Sequence, residues 1–287
     1  NQVSCSVQQG KAVFGTNGTQ ANLFGLEPNY GCCTANFSQG WPKLVLSAFM
    51  LTEKGVLSAA LVPATVRLER DGAAAQVTLD TEYPFRDSLR YTVHCQQPVR
   101  FELAVRIPAF AESAEADGQA AAPGELWRTE RLWQDGDTVE VRLHFAAKLV
   151  PGAEGLACVE RGPLFFALPL AAKSFPWEYE RGGVTRKAPY CDYIILPEQE
   201  WGYAFAEKNF RVIENPVGVY PFSREEPPVQ LETGMSRIPW GTHPGQPGVC
   251  AEKPESLESA GTETVRLQPY GCTYTALREI ADTLESG

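Results

Sequence analysis

The stretch Tyr30–Leu44, YGCCTANFSQGWPKL, sets Cys32 and Cys33 side by side in a chain whose other six cysteines are scattered. A disulfide between neighbours closes a strained small ring, which leaves three uses for the pair: buried packing, metal binding or a reactive thiolate. The surroundings move the balance towards chemistry. A Gly/Asn/Thr-rich loop carries the pair just ahead of a predicted helix, and a thiol near a helix N-terminus gains thiolate character. A tetrahedral zinc needs about four ligands, and this pair supplies two at most. No CxxC, HxxxH or HExxH motif is present, and His94, His144 and His243 lie far apart in sequence. Further ligands would have to come from Glu27, from Cys5 or from outside these residues. The sequence carries half a site.

Other chemistry-bearing residues read more plainly. His94 and His144 sit in strand-like runs, as ordinary structural or surface residues. The acidic pairs Glu178/Glu180, Glu198/Glu200 and Glu225–Glu226 could in principle serve a glycosidase, which needs two carboxyls about 5–10 Å apart. Their contexts suit solvated strand ends and loops better. The aromatics of WEYE, EWGYAF and IPW could stack on sugar rings, although core packing is the stronger reading. There is no Gly-rich phosphate loop and no GxSxG.

Composition sets the class. The 287 residues are 44% hydrophobic and 21% charged, as in globular proteins. A formal net charge of -10, with no Lys/Arg cluster, argues against a nucleic-acid or anionic-membrane surface. No apolar run approaches the roughly 18 residues of a membrane span. Eight cysteines fall below the density of a disulfide scaffold, so the expected setting is reduced and cytoplasmic, in a bacterium. The chain begins at Asn1 without a Met, which leaves secretion open.

The elements that must hold the double cysteine change character along the chain. Residues 1–31 are polar and turn-rich. From about Asn36 to Leu51, Trp41, Leu44, Val45, Ala48 and Phe49 fall at helical spacing, with Pro42 suited to the first turn. Beyond Gly55 alternating, β-branched runs take over: GVLSAALVPATVRLER, AAQVTLDTEYPF, SLRYTVHCQQP and VRFELAVRIPAF, then two strands joined by the QDGD turn. Strands without intervening helices predict a β-sandwich. A second all-β block starts near Leu156, residues 239–260 read as a long surface connection, and the strand at 262–275 is expected to return to the first sandwich.

Six stretches in this order, YGCCTANFSQGWPKL, LAVRIPAF, DGDTVEVRL, ERGPLFFAL, DYIILPEQEWGYAF and ETVRLQPYGCT, resemble the C-terminal half of glycoside hydrolase family 127. The likeness runs from about Asn22 to Thr273. Characterised members of that family are β-L-arabinofuranosidases with an (α/α)6-barrel catalytic domain followed by two β-sandwiches. The resemblance implies that Cys32 is the nucleophile, forming a thioglycosyl intermediate with retention. It further implies that Cys32 and Cys33 bind zinc together with another Cys and a Glu, and that a separate Glu is the acid/base. In the family those partners lie upstream of the double cysteine, so their roles do not pass to Glu27 or Cys5. The YTALREI ending departs from the family's aromatic–proline finish, which leaves the terminal strand open, and the YGCCTANFSQGWPK version resembles a subgroup distinct from the characterised enzymes, which leaves the sugar open.

The resulting expectation is a mainly β chain: a barrel remnant over 1–52, a first β-sandwich over 53–153 plus 262–282, and a second over 154–261. Its partners would be a carbohydrate substrate and its own N-terminal barrel, with a homodimer left open and zinc as cofactor of the longer protein. Alone, the 287 residues are expected to be inactive. A carbohydrate-binding accessory protein is the alternative, discriminated by glycan binding centred on exposed Trp or Tyr. A zinc or redox protein using the pair alone would be discriminated by stoichiometric tight zinc.

Overall fold

A computed structural model describes residues 23–24, 36–152, 155–189, 191–244, 246–255, 261–273, 276–277 and 280–282. The chain divides into two compact units, one of residues 38–146 and one of residues 1–37 with 147–287. Strands dominate, and the single α-helix longer than a turn among the described residues, α1, spans Gly40–Leu46.

Strand β1 is Leu23–Phe24, in the larger unit. The smaller unit contains α1 and ten strands: β2 Phe49–Leu51, β3 Gly55–Ser58, β4 Ala64–Arg70, β5 Ala73–Thr81, β6 Ser88–Cys95, β7 Val99–Arg106, β8 Ser113–Ala116, β9 Gln119–Ala121, β10 Leu126–Trp133 and β11 Thr138–His144. They form a four-stranded sheet in the order β10-β7-β3-β2 and a six-stranded sheet in the order β4-β5-β6-β11-β8-β9. Alternation explains why. In β5 the residues Ala73, Ala75, Val77 and Leu79 are buried while their neighbours face outwards, the period-two pattern of a half-buried strand. The inward residues of both sheets, among them Val56, Leu79, Leu89, Phe101, Leu103, Val139 and Leu143, share one core. Two sheets around one core make a β-sandwich, the fold class expected.

One polar contact between the sheets and one close backbone approach within a sheet fix the packing. The Tyr91 hydroxyl, buried on β6, lies 2.9 Å from the Ser58 hydroxyl on β3, so a hydrogen bond crosses from one sheet to the other. Burial pushes the Tyr91 pKa up, opposed by the Ser58 contact. Tyr91→Phe would leave Ser58 without this partner, at an expected cost of about 1–3 kcal/mol in urea denaturation; an unchanged midpoint would dismiss the contact as a contributor. The second fixture is backbone proximity. β3 runs parallel to β7, with Gly55 opposite Glu102, and a Cβ at Gly55 would drive into the Glu102 carbonyl. Gly55→Ala is expected to destabilise by about 1–3 kcal/mol through overpacking, read as a lowered thermal midpoint.

The helix is shorter than its periodicity suggested. It ends at Leu46 because the next residues join the sheet: Phe49–Leu51 pairs antiparallel with β3, and the Ala48 carbonyl accepts N–H bonds from Ala59 and Ala60. Pro42 does occupy the first turn.

The larger unit continues with β12 Ala147–Pro151, β13 Leu156–Arg161, β14 Leu164–Pro169, β15 Ala172–Trp177, β16 Tyr179–Arg181, β17 Val184–Arg186, β18 Asp192–Pro197, β19 Tyr203–Phe205, β20 Arg211–Glu214, β21 Val229–Arg237, β22 Thr242–His243, β23 Gln246–Cys250, β24 Thr262–Pro269, β25 Ala276–Leu277 and β26 Ile280–Asp282. Its main sheet runs β13-β26-β19-β21-β24-β14 and returns to β13 through the β13–β14 pairing, closing a ring of six strands. Three strand placements differ from expectation. β12 pairs with β13 in this unit. β24 lies between β21 and β14, so this strand completes the second block and does not return to the first. Within 239–260, the expected surface connection, β22 and β23 form a hairpin and Trp240 is buried, its indole N–H donating to the Ala251 carbonyl at 2.9 Å.

Candidate functional site

Cys32 and Cys33, the expected nucleophile and zinc ligands, lie outside the described residues, as do Cys5 and Glu27. What the structure does define is the platform that follows them in sequence. None of the residues of α1 is buried. Trp41 is 63% exposed, Val45 59% and Leu46 81%, and β2 adds Met50 and Leu51. The helix therefore presents an apolar surface that its own unit does not cover, anchored beneath by the fully buried Ala48. Contiguous apolar exposure of this kind marks an interaction surface.

Among the described cysteines, Cys95, Cys191 and Cys272 are free thiols, and Cys158, Cys191 and Cys272 are buried. Burial pushes the Cys272 thiol up to about 11, so it stays protonated at neutral pH. Cys95 is also raised, first by burial and then by the carboxylates of Asp135 and Asp137. Neither has the environment of a nucleophile. Among the described residues no group of three or more His, Cys, Asp or Glu side chains is placed to hold a metal. The donor set named by the sequence is thus two thiols, half of a tetrahedral shell.

The remaining candidates fall where ordinary surface and core residues belong. Glu178, Glu180, Glu198, Glu200, Glu225 and Glu226 are exposed. Glu178 accepts the Ala188 N–H, and Glu198 pairs with Lys173. Trp201 and Trp240 pack into a cluster with Leu170, Ala204 and Ile238, their ring centroids 5.5 Å apart, and offer no platform to a sugar. Their burial is the packing reading of EWGYAF and IPW. His94 is a surface residue on β6, its Nδ1 3.4 Å from Asp135 Oδ1. The pair arises because the QDGD turn folds back over the end of β6, with the Gly136 N–H donating to the Val93 carbonyl.

The two-sheet unit also has a counterpart among known families. Residues 55–145 match the family model described as Beta-L-arabinofuranosidase, GH127 middle domain. That domain coincides with the sandwich from β3 to the end of β11, so α1 and β2 precede the matched region while pairing into the same unit. No functionally curated protein matches the sequence. Among solved structures the chain is similar to a GH127 beta-L-arabinofuranosidase from Geobacillus stearothermophilus T6, with a TM-score of 0.59 at 15% identity over 88% of this chain and 37% of that one. It is also similar to a GH127 beta-arabinofuranosidase, BT3674, with a TM-score of 0.58 at 16% identity over 88% of this chain and 39% of the other. At such identities the likeness is one of fold. The chain spans about two fifths of the length of these structures.

Proposed function

We propose that these residues are the C-terminal part of a retaining glycoside hydrolase that acts on terminal β-L-arabinofuranosides or related sugars. The observation that carries the reading is the GH127 middle domain at 55–145, preceded in sequence by the double cysteine. In this reading Cys32 attacks the anomeric carbon and displaces the aglycone, whose oxygen takes its proton from a carboxylic acid; water then releases the sugar with net retention. Zinc, where bound, would keep the thiols deprotonated at neutral pH, with Cys32 and Cys33 as two of its ligands. The other ligands and the acid belong to a preceding barrel domain of the longer protein. The 287 residues alone are inactive.

The experiment compares the longer protein with the 287-residue chain on an aryl β-L-arabinofuranoside, following the anomer released. Hydrolysis with retention by the longer protein and none by the chain is the expected result. Turnover by the chain alone would overturn the division of the site.

The apolar surface of α1 supports the same reading, because it suits burial against further helices. Trp41→Glu with Val45→Glu should change the stability of the 287-residue chain by no more than about 0.5 kcal/mol, as at other exposed positions. In the longer protein the same pair should lower the thermal midpoint and activity together. Equal tolerance in both would mean the surface meets no barrel.

A further inference from the structure

An open groove of about 1080 Å3 is lined by residues of β4, β5 and β6 together with Leu51 of β2 and Asp135, distinct from the double-cysteine loop in sequence and absent from the proposed reaction. Strand register builds it. Arg67 on β4 is opposite Gln76 on β5, which is opposite His94 on β6, so three polar side chains form one row across three strands. Glu69 and Gln96 also line the groove, and Asp135 closes one end. The carboxylate of Asp135 is held in place: Oδ1 accepts the Cys95 N–H at 3.1 Å and lies 3.4 Å from His94 Nδ1. The turn behind it is fixed by the Gln134 N–H bond to Asp137 Oδ2 at 2.8 Å. His94 and Asp135 nonetheless keep 55% and 67% of their side-chain surface in solvent, so a ligand can reach both.

Charge and donor inventory select the ligand. One guanidinium and one imidazole face two carboxylates, and the two amides each offer both a donor and an acceptor. An anionic ligand would meet Glu69 and Asp135 in a chain of net charge -10; a cationic one would meet Arg67. A neutral polyol, whose every hydroxyl both donates and accepts, suits all six. The volume lies just above the roughly 300–1,000 Å3 of small-ligand sites, with room for more than one sugar ring. We infer that this groove is a non-catalytic binding site for a neutral oligosaccharide, held by hydrogen bonds from Arg67, Gln76 and the His94–Asp135 pair. That the sugar is arabinose-containing rests on the proposed function; that it is a neutral saccharide does not. The site has no aromatic platform, so recognition is polar and affinity is weak.

The test is calorimetric titration of the 287-residue chain with an arabino-oligosaccharide, a cello-oligosaccharide and a sulfated oligosaccharide. Saturable binding of a neutral sugar, weakened at least about tenfold by Arg67→Ala with Gln76→Ala, is expected. Arg67→Gln, which keeps most of the side chain, should weaken binding at an unchanged thermal midpoint. Preference for the sulfated sugar, equal binding by the double variant, or no saturable binding of any neutral sugar would each overturn the inference. Hydrolysis of an aryl arabinofuranoside by the longer protein should be unaltered by the double variant. Binding of the cello-oligosaccharide alone would retain the groove and remove its link to arabinose.

Discussion

Cys32→Ser in the longer protein is expected to lower arabinofuranoside hydrolysis by about 10^4-fold or more, the scale on which nucleophile deletions act. A cysteine thiol ionises near neutral pH and its thiolate attacks directly, whereas a serine hydroxyl needs a base to take its proton during attack. A serine in the same loop has the size of the thiol without its reactivity. Single-turnover kinetics separate the outcomes, since loss of the glycosyl-enzyme burst locates the defect in the first step. Cys272→Ser and Cys95→Ser serve as controls. Both thiols are held in the protonated form, Cys272 by burial and Cys95 by burial with Asp135 and Asp137 beside it, and both variants should keep wild-type rates. A fully active Cys32→Ser enzyme, or an inactive Cys272→Ser enzyme that remains folded, would remove Cys32 from the nucleophile role.

Trp133→Ala is the largest stability change expected in the smaller unit, about 3–5 kcal/mol. The indole is fully buried at the end of β10, stacks on Phe101 with centroids 5.3 Å apart, and donates its N–H to the Phe101 carbonyl at 2.9 Å. The Arg131 guanidinium lies 4.2 Å from the ring centroid and also donates to Asp117 and the Thr138 carbonyl. Removing the ring opens a cavity between the sheets and releases that guanidinium from its contact. Trp133→Phe should recover much of the loss, because it restores the stack while forfeiting the N–H bond. Far-UV circular dichroism in urea is the appropriate measurement, since the substitution alters tryptophan fluorescence and two compact units need not unfold together. A loss below about 1 kcal/mol would mean that the site collapses around the gap.

The strands of the smaller unit were legible because each needs only a local rule. Val77 and Leu79 alternate with Gln76 and Thr78, and the QDGD turn has Gly136 at φ 85°, a conformation that glycine supplies readily. Pairing is a different matter. Alternation tells which side of β24 is buried, but its neighbours, β21 and β14, are decided by contacts between distant segments. The helix was overextended for a related reason: Ala48 and Phe49 continue the helical period, yet the β2–β3 hairpin captures the chain after Leu46. Site chemistry was legible from the type and adjacency of Cys32 and Cys33, whereas His94–Asp135 required a turn to fold over a strand. No spacing rule would have joined residues 94 and 135.

Parallel pairing of β3 with β7 has a further consequence for how this module can be inherited. β3 has β2 on one side and β7 on the other, and it is joined to β2 by a tight turn in which the Gly55 N–H donates to the Thr52 hydroxyl at 3.0 Å. A recombination breakpoint at residue 55, where the family match begins, would split that hairpin and leave β3 as a raw edge able to pair with other chains. The portable unit of descent is therefore longer than the recognisable domain. It must carry α1 and β2 with it, which ties the sandwich to the double-cysteine loop through only six intervening residues, 34–39.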